Sequence, residues 1–318
     1  GNPLLGWETT TSWNFGLETD FMKGRLHLDL DAYTAQTTDQ IFDRTIPVMG
    51  SGISTQSSTM GKIHNWGIEA TLTSTNIRTK DFSWNSTLQF TISRSILKEL
   101  YGDGKDDITN NLFLRKSLGA IYGYKWIGNI QEEDAEYMAA NGGQPGDPMY
   151  ANLDGSTDGK ITPEDRTILG YNKENFRMSL ANTLTYKNWS LYFLFNGIFS
   201  GGGYGMAENT RAFSSYETMQ WLNMENHPWW TPENRSNKYL RPKADTSKFT
   251  GLQSYGFVRL QDINVSYSAK GEWMKTLGIA SLQLYVSGQN LFFISPDWEF
   301  SDPEVRSSRS QQLPRTYT

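Results

Sequence analysis

Residues 175–203, NFRMSLANTLTYKNWSLYFLFNGIFSGGG, restrict the possible folds more than any other stretch of the chain. Read with a period of two, Phe176, Met178, Leu180, Leu184 and Tyr186 fall on one face, and Arg177, Ser179, Ala181, Thr183 and Thr185 on the other. That is a strand with one apolar face. Lys187 and Asn188 suit a two-residue hairpin turn, beyond which the period resumes as Trp189, Leu191, Phe193, Phe195 and Phe199. Such a turn sets Tyr186 opposite Trp189, so both apolar sets share a face. Each arm has about twelve residues, which at ~3.3 Å per residue and a tilt near 40° spans roughly the hydrocarbon core of a bilayer. A strand of a soluble protein is usually half as long.

The pattern recurs along the chain. Trp7, Thr9, Thr11, Trp13, Phe15, Leu17, Thr19 and Phe21 alternate with polar residues, and Leu26, Leu28, Leu30 and Ala32 follow a short turn at Lys23 and Gly24. Trp66, Ile68, Ala70 and Leu72 form a third apolar set, and Phe82, Trp84, Leu88, Phe90, Ile92 and Ile96 a fourth. The last strands are expected over 255–268 and 281–294, and Leu313 to Thr318 opens one that the chain does not finish. Short connections at Lys23-Gly24, Thr79 to Asp81 and Lys187-Asn188, with a moderate one at 271–280, alternate with long ones at 41–59, 98–172, 204–254 and 295–312. This long-and-short alternation is that of an antiparallel transmembrane β-barrel with its long loops outside the cell. It also decides how AIYGYKWIGNI (120–130) is placed, because one crossing there would put the Lys187-Asn188 turn on the long-loop side. The segment is therefore expected as a strand or hairpin within an external excursion over 98–172. About nine crossings result, the last incomplete, and an open sheet edge cannot face lipid, so more strands are expected to complete the barrel.

Composition narrows the function classes. The 318 residues include no cysteine, which excludes a disulfide framework and thiolate chemistry. A net charge of −5 argues against nucleic acid as a partner. No apolar run reaches the ~18 residues of a membrane helix, and residues 1–7 lack the basic start and apolar stretch of a signal peptide, so an exported protein containing this sequence begins upstream. No nucleophile elbow, phosphate loop or dinucleotide fingerprint occurs, and no enzymatic activity is expected. Two other readings compete with an importer: a soluble glycan-binding β-sandwich, which predicts shorter strands without loop alternation, and a passive porin-like barrel.

Eight pieces in order, GNPLLGWETTTSWNFGLE (1–18), GIEATL (67–72), IYGYKWIGNI (121–130), DGSTDGKITPEDRTILG (154–170), WWTPEN (229–234), FVRLQDINVSYS (257–268), SGQNLF (287–292) and DPE (302–304), give the chain a strong family likeness. It resembles the C-terminal part of a SusC/RagA-type TonB-dependent outer-membrane transporter. The resemblance implies an all-β barrel of about 22 strands around a plug, with roughly nine of those strands here. It implies a SusD-like surface lipoprotein over the external loops and uptake of oligosaccharides or peptides driven through TonB. The plug, the TonB-contacting segment, the first half of the barrel and the terminal aromatic residue of the last strand are absent from this sequence.

Two sets of residues are candidate sites. Asp154, Ser156, Asp158, Gly159 and Asp165 stand at positions 1, 3, 5, 6 and 12 of a calcium-loop spacing, with Lys160 offering a carbonyl at 7 and Thr162 an oxygen at 9. Ser at 3 and the short Asp at 12 depart from that pattern. The alternative is an Asx-turn loop held by its own hydrogen bonds, and both readings stiffen the excursion. In the 204–254 connection, Tyr216 and Trp221 offer aromatic faces to a substrate or to the lid, whereas Trp229 and Trp230 are expected to pack the loop on itself. His27, Asp29 and Asp31 share a strand face as ordinary polar residues of the lumen side, and no metal is assigned to them.

Overall fold

The computed structural model describes residues 6–45, 55–213, 226–306 and 312–318. Its strands, in chain order, are β1 (Thr9–Phe21), β2 (Leu26–Thr45), β3 (Thr55–Arg78), β4 (Phe82–Glu99), β5 (Ala120–Tyr124), β6 (Trp126–Asn129), β7 (Pro148–Tyr150), β8 (Arg166–Tyr171), β9 (Phe176–Tyr186), β10 (Trp189–Phe199), β11 (Met206–Glu208), β12 (Leu252–Ser254), β13 (Phe257–Ser268), β14 (Gln283–Ile294) and β15 (Thr316–Tyr317). Nine of them form one antiparallel sheet in the order β1-β2-β3-β4-β9-β10-β13-β14-β15. Each added strand lies beside the previous one, the meander of a barrel wall, with β1 and β15 as its two edges.

The register keeps the apolar residues of all strands on one side. Leu17 pairs with Leu30, Leu30 with Ala70, Ala70 with Phe90, Phe90 with Met178, Met178 with Gly197, Gly197 with Val258 and Val258 with Ile294. Paired residues point the same way, so this row crosses eight strands on a single face. Trp13, Phe15, Val286 and Ile294 on that face are 76%, 61%, 69% and 66% exposed. A water-facing sheet could not carry such a continuous apolar band, whereas a lipid-facing one must. At the short-turn end Tyr186 pairs with Trp189, and the Trp189 ring lies 4.8 Å from that of Tyr267, forming an aromatic girdle. The sandwich reading fails on this single long-stranded sheet.

One connection differs from its expected extent. The loop expected over 41–59 is ladder over much of its length, from Ile41 paired with Thr59 to Thr45 paired with Thr55. A ladder lying beyond the lipid has no need of an apolar outer face. The run TTDQIFDRT therefore lost the alternation that marks a membrane strand while keeping its backbone hydrogen bonds. A bulge beside Asp39, whose φ is 56°, marks the change.

β4 pairs directly with β9, so 98–172 does leave and rejoin the sheet between neighbouring strands. Within it β5 pairs with β8 and β6 with β7, splitting 120–130 between two small sheets. The buried apolar residues lie mainly at this end of the sheet. Ile63, Leu97, Leu100 and Tyr101 form one cluster, and Ile198, Tyr255, Phe257 and Trp298 a second. The dry core of the chain is thus its loop layer, and the wall below is one sheet thick.

Candidate functional site: the loop layer and the polar wall

The described residues of the long connections gather over one end of the wall. Arg94, at the top of β4, is buried and donates to the carbonyl oxygens of Ser93 (2.8 Å) and Asn175 (2.9 Å) and to Asn175 Oδ1 (2.5 Å). Its guanidinium lies 4.0 Å from the Tyr204 ring, which stacks on Tyr171 at 4.7 Å. One cation therefore joins β4, the entry to β9 and the connection after β10.

The IGNI segment is joined to the loop that follows WWTPEN by a second set of bonds. Asn129 is fully buried; its Nδ2 donates to the carbonyls of Tyr239 (2.7 Å) and Ser236 (2.9 Å), and its backbone N–H donates to Asn237 Oδ1 (3.2 Å). Trp230 Nε1 donates to Gln131 Oε1 at 3.0 Å, and Arg241 Nε to Asp147 Oδ1 at 2.7 Å. Gly146, at φ 89°, lets the Trp230 ring lie against the backbone, since a Cβ there would stand 2.7 Å from it. Trp230 thus packs the loop as its sequence context suggests. Trp126 meets Phe213 and Phe249 edge to face, closing the same layer from the β6 side.

The DPE motif has a definite role. Asp302 Oδ1 accepts from Arg259 Nη2 at 2.5 Å, and Glu304 Oε2 lies 2.8 Å from Arg259 Nε. Arg259 and Asp302 are each 2% exposed, and the guanidinium lies between the rings of Phe257 and Phe293. This ion pair fastens the 295–306 connection to β13. Strand periodicity concealed it, because Arg259 reads as one polar residue among many.

The calcium-type loop shows a self-bonded arrangement. Asp165 is fully buried and accepts from the backbone N–H groups of Leu153 (2.5 Å), Asp154 (3.0 Å) and Thr162 (2.7 Å), forming a capping box with Thr162. Asp154 accepts from the Ser156 amide at 2.7 Å, and Asp158 from Ser156 Oγ at 2.9 Å and the Lys160 amide at 3.0 Å. Hydrogen bonds from Thr162 and Leu153 hold the Asp165 carboxyl below its ordinary range, and those from Lys160 and Ser156 do the same for Asp158. Among the described residues no three acidic or histidine side chains gather as a cation site. The Lys160 carbonyl meets Asn152 Nδ2 at 3.3 Å. These hydrogen bonds are the ones the Asx-turn alternative describes, with both Asp165 oxygens turned to backbone amides. Tyr216 and Trp221 lie outside the described residues.

The opposite face of the wall is acidic. Glu18 pairs with Asp29 and Asp31 with Glu69 across β1 to β3, with His27 bonded to Asp20 at 3.0 Å. Gly16 and Gly67 leave room for Asp31 and for the Tyr33 ring, respectively. Like charges placed opposite one another weaken a sheet by repulsion, so the column does not stabilise the wall.

A long-stranded wall with a lipid face, a polar acidic face and a layer over one end defines part of a membrane β-barrel with long loops on one side. Residues 1–291 match the family model described as TonB dependent receptor-like, beta-barrel. TonB-dependent receptor P3 of Formosa agariphila is 30% identical over 96% of this chain and 31% of its own length. TonB-dependent receptor SusC of Bacteroides thetaiotaomicron is 25% identical over the whole chain and 32% of its own length. Among solved structures, the RagAB peptide transporter superposes on the whole chain with a TM-score of 0.74 at 21% identity, over 35% of the matched chain. The chain belongs to the TonB-dependent receptor β-barrel family, a family of the outer membrane, and spans about a third of the length of these relatives.

Proposed function

We propose that this chain is the C-terminal part of the barrel of a SusC-like importer that carries oligosaccharides or peptides across the outer membrane by TonB-dependent transport. The 98–172 and 204–254 connections form the extracellular layer, and a SusD-like lipoprotein sits over it as a lid. The observation that carries the reading is the end-to-end similarity to SusC, joined to a loop layer whose dry core lies on the long-connection side of the wall. A passive porin would not need a layer fastened by buried ions such as Arg94 and Arg259. The acidic wall favours neutral or basic cargo, since a lumen of one sign raises the local concentration of the opposite charge. The chain acts by binding and positioning, and catalyses no reaction.

The test is to extract the full-length protein from outer membranes in mild detergent and identify co-purifying chains by mass spectrometry, then to measure uptake with and without the proton gradient. A lipoprotein of SusD type in near-equal amount and gradient-dependent uptake are expected. A barrel recovered alone, with uptake indifferent to the gradient, would overturn the importer reading in favour of a porin.

A further inference from the structure

Among the described residues, the lipid-facing side of the wall carries a polar cluster at β4 and β9. On β9 the apolar series Phe176, Met178, Leu180, Leu184, Tyr186 skips Asn182, and on β4 the series skips Ser86, with which Asn182 is paired. Both have the parity of their lipid-facing neighbours. Ser74 Oγ donates to Asn76 Oδ1 (3.0 Å), Asn76 Nδ2 to Ser86 Oγ (2.7 Å), Ser86 Oγ to Asn182 Oδ1 (2.6 Å) and Trp84 Nε1 to the same oxygen (2.9 Å). This is a continuous polar chain across three strands. Asn76 enters it through a break in the β3–β4 register between Thr75 and Ile77, and Arg25 holds that break by donating to the carbonyls of Thr75 and Asn76.

Its depth is informative. Asn182 stands four residues above Tyr186, about 10 Å along the membrane normal at ~3.3 Å per residue and a ~40° tilt. Polar side chains at lipid-facing positions are costly there unless they meet a polar partner. Asn182 Oδ1 takes both donors, and among the described residues no acceptor meets its amino group.

Directly below lie two adjacent turns, joined by a hydrogen bond of 2.8 Å from the Lys187 amide to the Asp81 carbonyl. They carry Lys80 and Lys187, and Lys187 Nζ lies 5.3 Å from the centre of the lipid-facing Tyr186 ring. The short connections together hold Lys23, Arg25, Lys80, Lys187 and Lys270 against Asp81 and Glu272, in a chain whose net charge is −5. The short-turn rim is therefore cationic on an otherwise acidic protein.

We propose that this notch and the two lysines below it form a binding site for one anionic phospholipid of the inner leaflet. The phosphate lies against Lys80 and Lys187 at the girdle, and an ester oxygen deeper in the lipid accepts from the Asn182 amino group, which reaches the surface with only 5% of the residue exposed. The site rests on the proposed orientation, with short turns inward, but not on what the barrel transports.

The experiment is native mass spectrometry of the full-length transporter after exchange into micelles containing phosphatidylglycerol or phosphatidylethanolamine. The wild type is expected to retain one phosphatidylglycerol and to hold phosphatidylethanolamine at least tenfold less well. The double variant K80Q/K187Q, on exposed turns where folding is not at stake, is expected to lose phosphatidylglycerol retention at least tenfold, and K270Q to keep it. N182L, with folding checked by heat-modifiable gel mobility, is expected to lower retention several-fold. Equal retention of the two lipids, or retention unchanged in K80Q/K187Q, would overturn the site. Neither outcome touches gradient-driven uptake, so failure here is distinguishable from failure of the importer reading.

Discussion

Replacing Asp302 by alanine removes the anion that faces Arg259 at 2.5 Å and leaves a guanidinium that is 2% exposed between two phenylalanine rings. Glu304, at 2.8 Å from Nε, supplies partial compensation because its side chain is 30% exposed. Breaking a buried pair from one side costs about 3–5 kcal/mol, and the remaining carboxylate places the expectation near 3 kcal/mol. That loss falls on the attachment of 295–306 to β13 rather than on the wall, which keeps its own ladder. Hydrogen exchange of the reconstituted protein should therefore show protection of the Val305 and Glu304 amides, which donate to Asp302, falling by roughly 10²-fold, at ~1.4 kcal/mol per decade. Protection in β9 and β10 should be unchanged. The double variant R259M/D302L, which removes both charges, should recover most of the loss. Unchanged protection in D302A, or a double variant worse than the single one, would refute the claim that this ion pair fastens the connection.

Other substitutions test the rest of the layer. Arg94→Gln should loosen the junction of β4 with the 172–175 segment by about 2–3 kcal/mol, read as new proteolytic cleavage near Asn175, because carbonyls and a ring lose their cationic partner. Gly146→Ala should destabilise the layer by about 1–3 kcal/mol, since its Cβ meets Trp230 and Arg241 at 2.7 Å and its φ is 89°; a neutral result by thermal melting would contradict the close packing. Asp165 has a lowered folded pKa, so its stabilising effect is present above the ordinary carboxylate value of 3.8 and is lost as the pH falls through the lowered one. Proteolysis of 152–166 should accordingly rise in strong acid, and D165N should show that sensitivity already at neutral pH. Calcium added to the chelated protein should leave exchange in this segment unchanged; a gain in protection would show that the carboxylates exchange their amides for a cation.

The wall was legible in the sequence because lipid imposes a rule. Most outward positions are apolar, so Phe15, Leu30, Phe90 and Met178 can be placed on one face by counting alone, with Ser86 and Asn182 among the exceptions. Beyond the bilayer the rule lapses, and Ile41 to Thr45 gave no sign of being ladder. The parity of short and long connections implied an excursion between neighbouring strands, as the β4–β9 pairing has it, without resolving its interior, where β5 and β6 take separate partners. The layer is held by single long-range contacts, such as Arg259 with Asp302 and Asn129 with Tyr239, which leave no periodic trace. The calcium-type spacing has the opposite character: the short-range pattern was visible, but spacing cannot tell whether backbone amides or a cation receive the oxygens.

The 98–172 excursion begins and ends at neighbouring strands, and its neck is closed by backbone bonds from Arg115 to Leu97, from Leu118 to Ser95 and from Asn172 to Gly119. Whatever happens above that neck leaves the pairing of β4 with β9 untouched. The excursion is in this sense a cassette: its length and chemistry can change by insertion, deletion or exchange between paralogues without shifting the frame on which the barrel closes. The frame of the wall is thereby uncoupled from the excursion above it, and a graft cut between Leu118 and Asn172 would have to carry with it the 230–241 partners that Asn129, Gln131 and Asp147 bind.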